Sequence, residues 1–405
     1  VSPFLVVAGK ESFRLPKLMV AEWLGLASVL CLAWNLRAAD LKGAWRLPAV
    51  QAVLPALLVA TAGIWTTAHP LQVREALFDL WIGAACLVGW SAGLQRERLE
   101  RLLRGLIWPA AVLALVGIFQ FHADWKPLQF TGIEYDPRLG ITSFAGNPGD
   151  LSSYLVLPSL VAFWMLFSFP RRRWLAAAAL AICLYCLALT QTMASLAAMA
   201  AGAVVLALLK LPRRKVLAGL AAAAVVAAVL VLAVAPLRVR VEGKLRGLAE
   251  GDLNEVLTGR LDGWRAALWM MGEHPLAGVG HGGYLPEYVP AKLALLDRGV
   301  EFLPGQLTPV FDNAHNEVLN AGAEWGIPGL LALAWGLWVV FRAAPKPGDD
   351  REEARSREED DREDHRALAW SGLTALLVLS LGYFPFHVAM VAFPALLFLA
   401  WVLRP

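Results

Sequence analysis

Long apolar stretches recur along almost the whole chain, and they constrain its fold more than any single residue does. Candidate spans of roughly 17–25 residues, the length a helix needs to cross a bilayer, lie at about 17–36, 47–67, 76–94, 102–121, 149–169, 174–191, 193–209, 216–236, 316–342, 367–384 and 386–403. In hydrocarbon every backbone N–H and C=O must find a partner within the protein, so spans of this kind fold as helices. The expected class is all-α, a polytopic membrane helix bundle with about eleven visible transmembrane helices. Composition agrees: 58% of residues are hydrophobic and 17% charged, and the mean hydropathy is +0.56. Soluble domains run at about 45–50% and 25%. A lipid bilayer is the expected partner, and nucleic acid is not.

Basic residues in the connections set the orientation. Arg37, Lys42 and Arg46 follow the first span, Arg96 to Arg104 the third, Arg171 to Arg173 the fifth and Lys210 to Lys215 the seventh. Every second connection is thus positive and belongs in the cytoplasm. Val1 then begins outside, with no cleavable signal peptide, and a missing upstream helix (a twelfth) would account for that. The intervals around 122–150 and 237–315 face the other side. Three regions follow: 1–236 as N-terminal helices, 237–315 as an outer helical segment, and 316–405 as C-terminal helices. A run of mixed charge near 343–366 reads as a solvated cytoplasmic linker. Cys31, Cys86, Cys183 and Cys186 all fall in apolar runs. They read as packing residues, not as metal ligands or a redox pair.

Within the outer segment, Leu261, Trp264, Leu268 and Met271 form one apolar stripe at helical spacing. Thr258 is the expected N-cap, and His274-Pro275 ends the helix. Arg260 and Arg265 flank the stripe, about 140° apart at 100° per residue. Two readings fit: a diphosphate clamp of two guanidinium forks, or a membrane-surface helix whose arginines meet anionic lipid. Gly278-Val-Gly280-His281-Gly282-Gly283 lacks the parallel-sheet context of a dinucleotide loop. It reads as a glycine turn in close packing, with His281 a secondary candidate.

His315 sits where the outer segment re-enters the apolar region. It fits either a satisfied helix start, capped by Asp312 or Asn313, or a group that titrates near neutrality beside a lipid-borne substrate. Asn316, Asn320 and Glu324 share a polar strip reaching three turns into the following span, which is costly unless it faces partners or a wet cavity. Gly326-Ile-Pro328-Gly329 then breaks the helix. A transporter of an anionic solute is the reading from a different class, because broken helices with buried polar groups suit that too.

His315-Asn316, nine residues, Gly326, two residues, Gly329 resembles the HN-x9-G-x-x-G signature of the O-antigen ligase and Wzy-type polymerase superfamily. Gly259-Arg260, Trp264, His274-Pro275-Leu276 and Gly278-Val-Gly280 are similar to the family's preceding segment. Arg138, Asn147-Pro148 and Tyr154-Leu155 are similar to its earlier outer-face motif. The resemblance implies an inverting, metal-independent glycosyltransferase of the GT-C type that needs no cofactor. It would move a glycan from undecaprenyl diphosphate to an acceptor hydroxyl, of lipid A–core in the ligases, at the periplasmic face of the bacterial inner membrane. A Wzy-type polymerase and a protein O-oligosaccharyltransferase are the alternatives within that class.

On this resemblance His315 is the general base and Arg260 serves the diphosphate leaving group. Arg265, Arg138, Asn316, Asn147, Glu324 and His281 are the candidate substrate contacts, and no metal site is expected. The chain departs from the family where Leu189-Thr190 leads to Thr192-Met193 instead of a Ser-Arg pair, and where Gly149 replaces a second Asn. Arg138 and Arg265 are the candidates for supplying the missing positive charge.

Overall fold

The computed structural model describes residues 14–33, 43–123, 140–302, 311–345 and 357–404. They form helices α1 (Arg14–Ala33), α2 (Pro48–Ala62), α3 (Pro70–Gly93), α4 (Arg96–Gly105), α5 (Ile107–Ala123), α6 (Pro148–Ser168), α7 (Arg173–Thr190) and α8 (Met193–Lys210). There follow α9 (Arg213–Ala233), α10 (Ala235–Glu250), α11 (Leu253–Val256), α12 (Arg260–Glu273), α13 (Tyr284–Asp297), α14 (Glu317–Ala343), α15 (Arg357–Gly382) and α16 (Ala389–Val402). Among the described residues there is no strand. The protein is a polytopic membrane helix bundle, as its apolar periodicity predicts.

Among the described residues, eight helical segments are long and apolar enough to cross a membrane. The sequence predicts about eleven spans; α15 begins with a charged run and α16 has only 14 residues. The charged linker is corrected in part: from Arg357 onward it is helical and continuous with the apolar half of α15. Asp364 pairs with Lys210, and His365 Nε2 lies 2.9 Å from Glu100 Oε2, so this run docks on the bundle. Residues 346–356 of that run lie outside the described residues.

Helix α6 is the centre of the bundle, buried over most of its length, while α9 exposes nearly all of its apolar surface. Lipid tails are as apolar as leucine, so packing between spans depends on close approach and polar ties. The α8–α15 pair illustrates both. A Cβ at Gly202 would stand 2.7 Å from Leu160 and 3.0 Å from the Ser371 carbonyl oxygen. The Ser371 hydroxyl donates to the Gly202 carbonyl at 2.9 Å. Cys86, Cys183 and Cys186 are buried free thiols, as their apolar setting implies.

The expected break in α14 falls at Gly326, whose backbone (φ 66°, ψ −161°) leaves the helix. The glycine turn before α13 fills the gap. Val279 N–H donates to the Ala323 carbonyl and Gly280 N–H to the Glu324 carbonyl, both at 2.9 Å, while Ile327 N–H reaches the Pro275 carbonyl at 2.8 Å. Gly278 (φ +61°) lies so close that a Cβ there would stand 2.2 Å from the Glu324 carbonyl carbon. Two backbones therefore meet with no room for side chains between them.

Gly326→Ala sets a Cβ 2.5 Å from the Pro275 carbonyl oxygen at a left-handed φ and is expected to cost at least about 1–3 kcal/mol. Gly272, in the last turn of α12 with nothing within 4 Å of its Cβ position, gives the opposite sign on mutation to Ala, a gain of at most about 1 kcal/mol. Thermal unfolding of the two variants in detergent checks both.

Candidate functional site

The turn before α14 is held from both sides. Asn316 is the N-cap of α14: its Oδ1 accepts from Val318 N–H and Leu319 N–H at 3.0 and 3.1 Å, and its Nδ2 donates to the Leu381 carbonyl at 3.1 Å. This corrects the expectation that Asp312 or Asn313 caps the helix. Asn313 serves the turn instead, its Oδ1 accepting from His315 N–H at 2.9 Å, while Asn320 Oδ1 accepts from Ala314 N–H at 3.1 Å. Between these ties His315 adopts φ 51°. A left-handed non-glycine residue costs about 1–2 kcal/mol and persists only where its surroundings impose it.

The His315 ring is half-buried between two aromatic rings, edge-on to Phe384 at 4.7 Å and to Phe311 at 5.4 Å. Nδ1 lies 3.3 Å from the Asn313 carbonyl. An Nδ1–H donating there leaves the Nε2 lone pair as the free base. Burial is the main force on the imidazole and pulls its pKa down to about 4; the Asn313 carbonyl and Asp312 oppose that, and the Arg260 and Arg14 charges reinforce it. At neutral pH the ring is uncharged.

Arg260 opens α12 beside this ring, half-buried, with Tyr383 and Arg240 within its electrostatic reach. Among the described residues, no carboxylate pairs with it. Gly382 packs between it and α8: a Cβ there would lie 3.0 Å from Ala194 Cβ and 3.6 Å from the Arg260 guanidinium. The non-family residue Met193 is the immediate neighbour of Ala194, so the departure from the family pattern falls at the edge of the site. The expected cap of α12 is displaced by one residue. Gly259 (φ 78°) is the N-cap position, and the Thr258 hydroxyl accepts from Lys244 Nζ at 2.9 Å. The helix ends at His274 as expected. Its packed face is Gly263, Ala266, Ala267 and Met270, which leaves Leu268 of the apolar stripe outward.

Three residues missed in the sequence complete the centre. Arg14 forms a two-bond fork on buried Asp150, 2.9 Å to Oδ2 and 3.1 Å to Oδ1, and stands 3.5 Å from Asp312. Its guanidinium lies 5.8 Å from the centroid of the Phe384 ring. The Tyr383 hydroxyl donates to Asp150, and the Tyr383 ring stacks on Phe384. The available signal was two ionisable groups at the edges of apolar runs, which seldom stand there unpaired.

The other candidates have different surroundings. His281 Nδ1 lies 2.8 Å from Glu324 Oε2, so these two satisfy each other and pin the glycine turn to the break in α14. Arg265 donates to the Glu301 carbonyl and stands 3.7 Å from Asp262. Asn147 caps α6, its Oδ1 accepting from Gly149 N–H. Arg138 lies outside the described residues.

The fold and site thus define a multi-pass membrane protein in which an arginine that no described carboxylate pairs with stands near a neutral histidine, at the mouth of a broken helix. Residues 178–334 match the family model described as O-antigen ligase. That stretch runs from α7 past the break in α14 and includes Arg260, His315, Gly326 and Gly329. This matched stretch supports the O-antigen ligase and Wzy-type superfamily, and the resemblance drawn from the motifs within it is borne out. A search of the curated proteins returns no match to the chain.

Asn316→Ala removes both the cap and the tie to Leu381, and is expected to cost about 1–2 kcal/mol. It should also lower kcat by more than it raises KM, because the turn that orients His315 loosens. Steady-state kinetics beside a melting curve separates the two effects.

Proposed function

We propose that this protein is an inverting glycosyltransferase of the O-antigen ligase type, acting in lipopolysaccharide biosynthesis. Its donor is a glycan on undecaprenyl diphosphate, its acceptor a hydroxyl of lipid A–core, and it works at the periplasmic face of the inner membrane without a metal ion. The observation that carries this reading is the pairing of His315, neutral and with Nε2 free, with Arg260, a guanidinium that no described carboxylate neutralises. A fixed cation without a counter-ion among the described residues suits an anionic ligand, and a guanidinium fork matches phosphate oxygens.

In this reaction the acceptor hydroxyl gives its proton to His315 Nε2 as its oxygen attacks the anomeric carbon. The bond from that carbon to the diphosphate breaks on the opposite face, and the lipid diphosphate leaves with the electron pair. Arg260 stabilises the charge gathering on the bridging oxygen, a role for which a preorganised donor is worth several kcal/mol. The base strength of His315 is linked to donor binding. The anionic diphosphate offsets the Arg260 and Arg14 fields that lower the imidazole pKa, so the ring becomes a better base when the donor is seated. A polymerase or a protein O-oligosaccharyltransferase would use the same centre with a different acceptor, and mass spectrometry of the product separates them.

Purified protein supplied with the lipid-diphosphate glycan and lipid A–core is expected to yield glycan joined to the core. His315→Ala and Arg260→Ala should each lose at least about 100-fold in kcat, in keeping with loss of a general base or a charge-stabilising donor. Full activity in either variant removes the role given to that residue. The acidic limb of kcat/KM, which reports the free enzyme, is expected near the imidazole pKa of about 4. A limb at the ordinary histidine value of about 6.5 would mean a solvated ring.

A further inference from the structure

Helix α13 turns an apolar stripe away from the protein. Leu285, Val289, Leu293 and Leu296 fall within about 80° of one another at 100° per residue, and all four are exposed, Leu293 by 57%. A different face carries Tyr284, Tyr288 and Ala291, buried in one cluster with residues of α12 and of the turn before α14. A helix that is apolar on two faces, with protein against only one, needs a second apolar medium.

Depth identifies that medium. Helix α14 has 27 residues, whereas the hydrocarbon core takes roughly 20. Counting back from Arg342 in its last turn puts the edge of the core on the His315 side near Gly322. The turn before α13 reaches below that level. Ile327 N–H donates to the Pro275 carbonyl at 2.8 Å, so Leu276, 77% exposed, stands beside exposed Ile327 of the broken span. Elsewhere the turn meets the second turn of α3, where a Cβ at Gly282 would stand 2.6 Å from Ala76 Cβ. One turn into α13, Glu287 Oε1 lies 3.0 Å from Nε2 of His69, the residue before α3. Helix α13 thus starts inside the hydrocarbon edge and passes the end of α3 at the edge itself, the position of an interfacial helix. Lys292, the cation within the stripe, holds its ammonium 5.1 Å from the centroid of the Phe302 ring; a lysine stem can lie along such a boundary with its charge turned away from lipid.

We propose that α13 is an interfacial helix whose stripe is seated among the acyl chains of the leaflet on the His315 side, and that this seating holds the row of rings behind His315. The row begins on the protein face of the helix. Tyr284 stacks on Tyr288 at 6.1 Å, Tyr288 meets Phe311 edge-on at 5.4 Å, and Phe311 meets His315 edge-on at 5.4 Å. The Tyr284 hydroxyl donates to the Gly263 carbonyl at 2.7 Å, which ties the row to α12. Lifting α13 out of the lipid pulls on this row. The seating stands on exposure and depth; its effect on transfer rests on the glycosyltransferase reading.

The test places nitroxides on the full chain in nanodiscs of phosphatidylethanolamine and phosphatidylglycerol. The labelled positions are Val289→Cys, Leu293→Cys and, as a solvent-facing reference, Asp297→Cys, with the parent chain treated alike as background. The two stripe positions are expected to collide with a water-soluble nickel chelate at least about fivefold less than Asp297→Cys, and with oxygen more. Nickel contact equal to the reference means water, and low contact with both nickel and oxygen means a protein partner or a second copy; either overturns the seating. Val289→Glu with Leu293→Glu alters only exposed side chains. It should raise nickel contact at Leu296→Cys and lower kcat about tenfold with little change in KM, because the ring row is displaced. Val289→Leu with Leu293→Val should keep both at the parent values. Unchanged nickel contact or unchanged kcat in the double glutamate variant overturns the link to His315. Retained transfer by His315→Ala overturns the enzyme reading instead and leaves the nitroxide result as it was.

Discussion

The arrangement of this protein depends on three backbone hydrogen bonds that cover the break in α14. A helix interrupted at Gly326 leaves the Ala323 and Glu324 carbonyls without helical partners, and in a membrane each such group costs several kcal/mol. The glycine turn supplies the missing N–H groups from Val279 and Gly280, and the helix returns one through Ile327 to Pro275. The break and the turn are thus a single element made from two distant segments, and neither is stable alone. Everything nearer the site follows. Helix α12 ends at the same turn, so its start, Arg260, is carried to the mouth of α14 where His315 stands. The buried His281–Glu324 pair closes the junction from its polar side.

What was legible in the sequence was local. Apolar run length gave the bundle, because the bilayer imposes it, and the interval from His315 to Gly329 gave the break, because only glycine fits its backbone contacts. Cap positions were displaced by one to four residues for a common reason. Thr258, Gly259 and His315 all have positive φ, so the chain turns once more before each helix than a simple capping pattern assumes. The Arg14–Asp150–Tyr383 cluster left no local trace, since its members are 136 and 233 residues apart. The docking of the charged run on Lys210 and Glu100 was hidden in the same way. A run of mixed sign looks solvated until the fold shows which of its residues face a partner.

The two arginines near His315 have opposite fates. Arg14 is neutralised at its base by Asp150, a carboxylate held by two donors, so it is fixed in position. Arg260 has no such anchor among the described residues and keeps its full charge for what enters. Both fields reach the imidazole and, with burial, hold it neutral. A histidine lowered this far is a weak base in the empty protein, and an anion placed against the arginines removes the part of that lowering that is theirs, leaving the part due to burial. In the proposed reaction the lipid diphosphate is that anion as well as the leaving group. Proton abstraction is then easier with a donor in place than in the empty site, which disfavours unproductive activation of an acceptor hydroxyl or water.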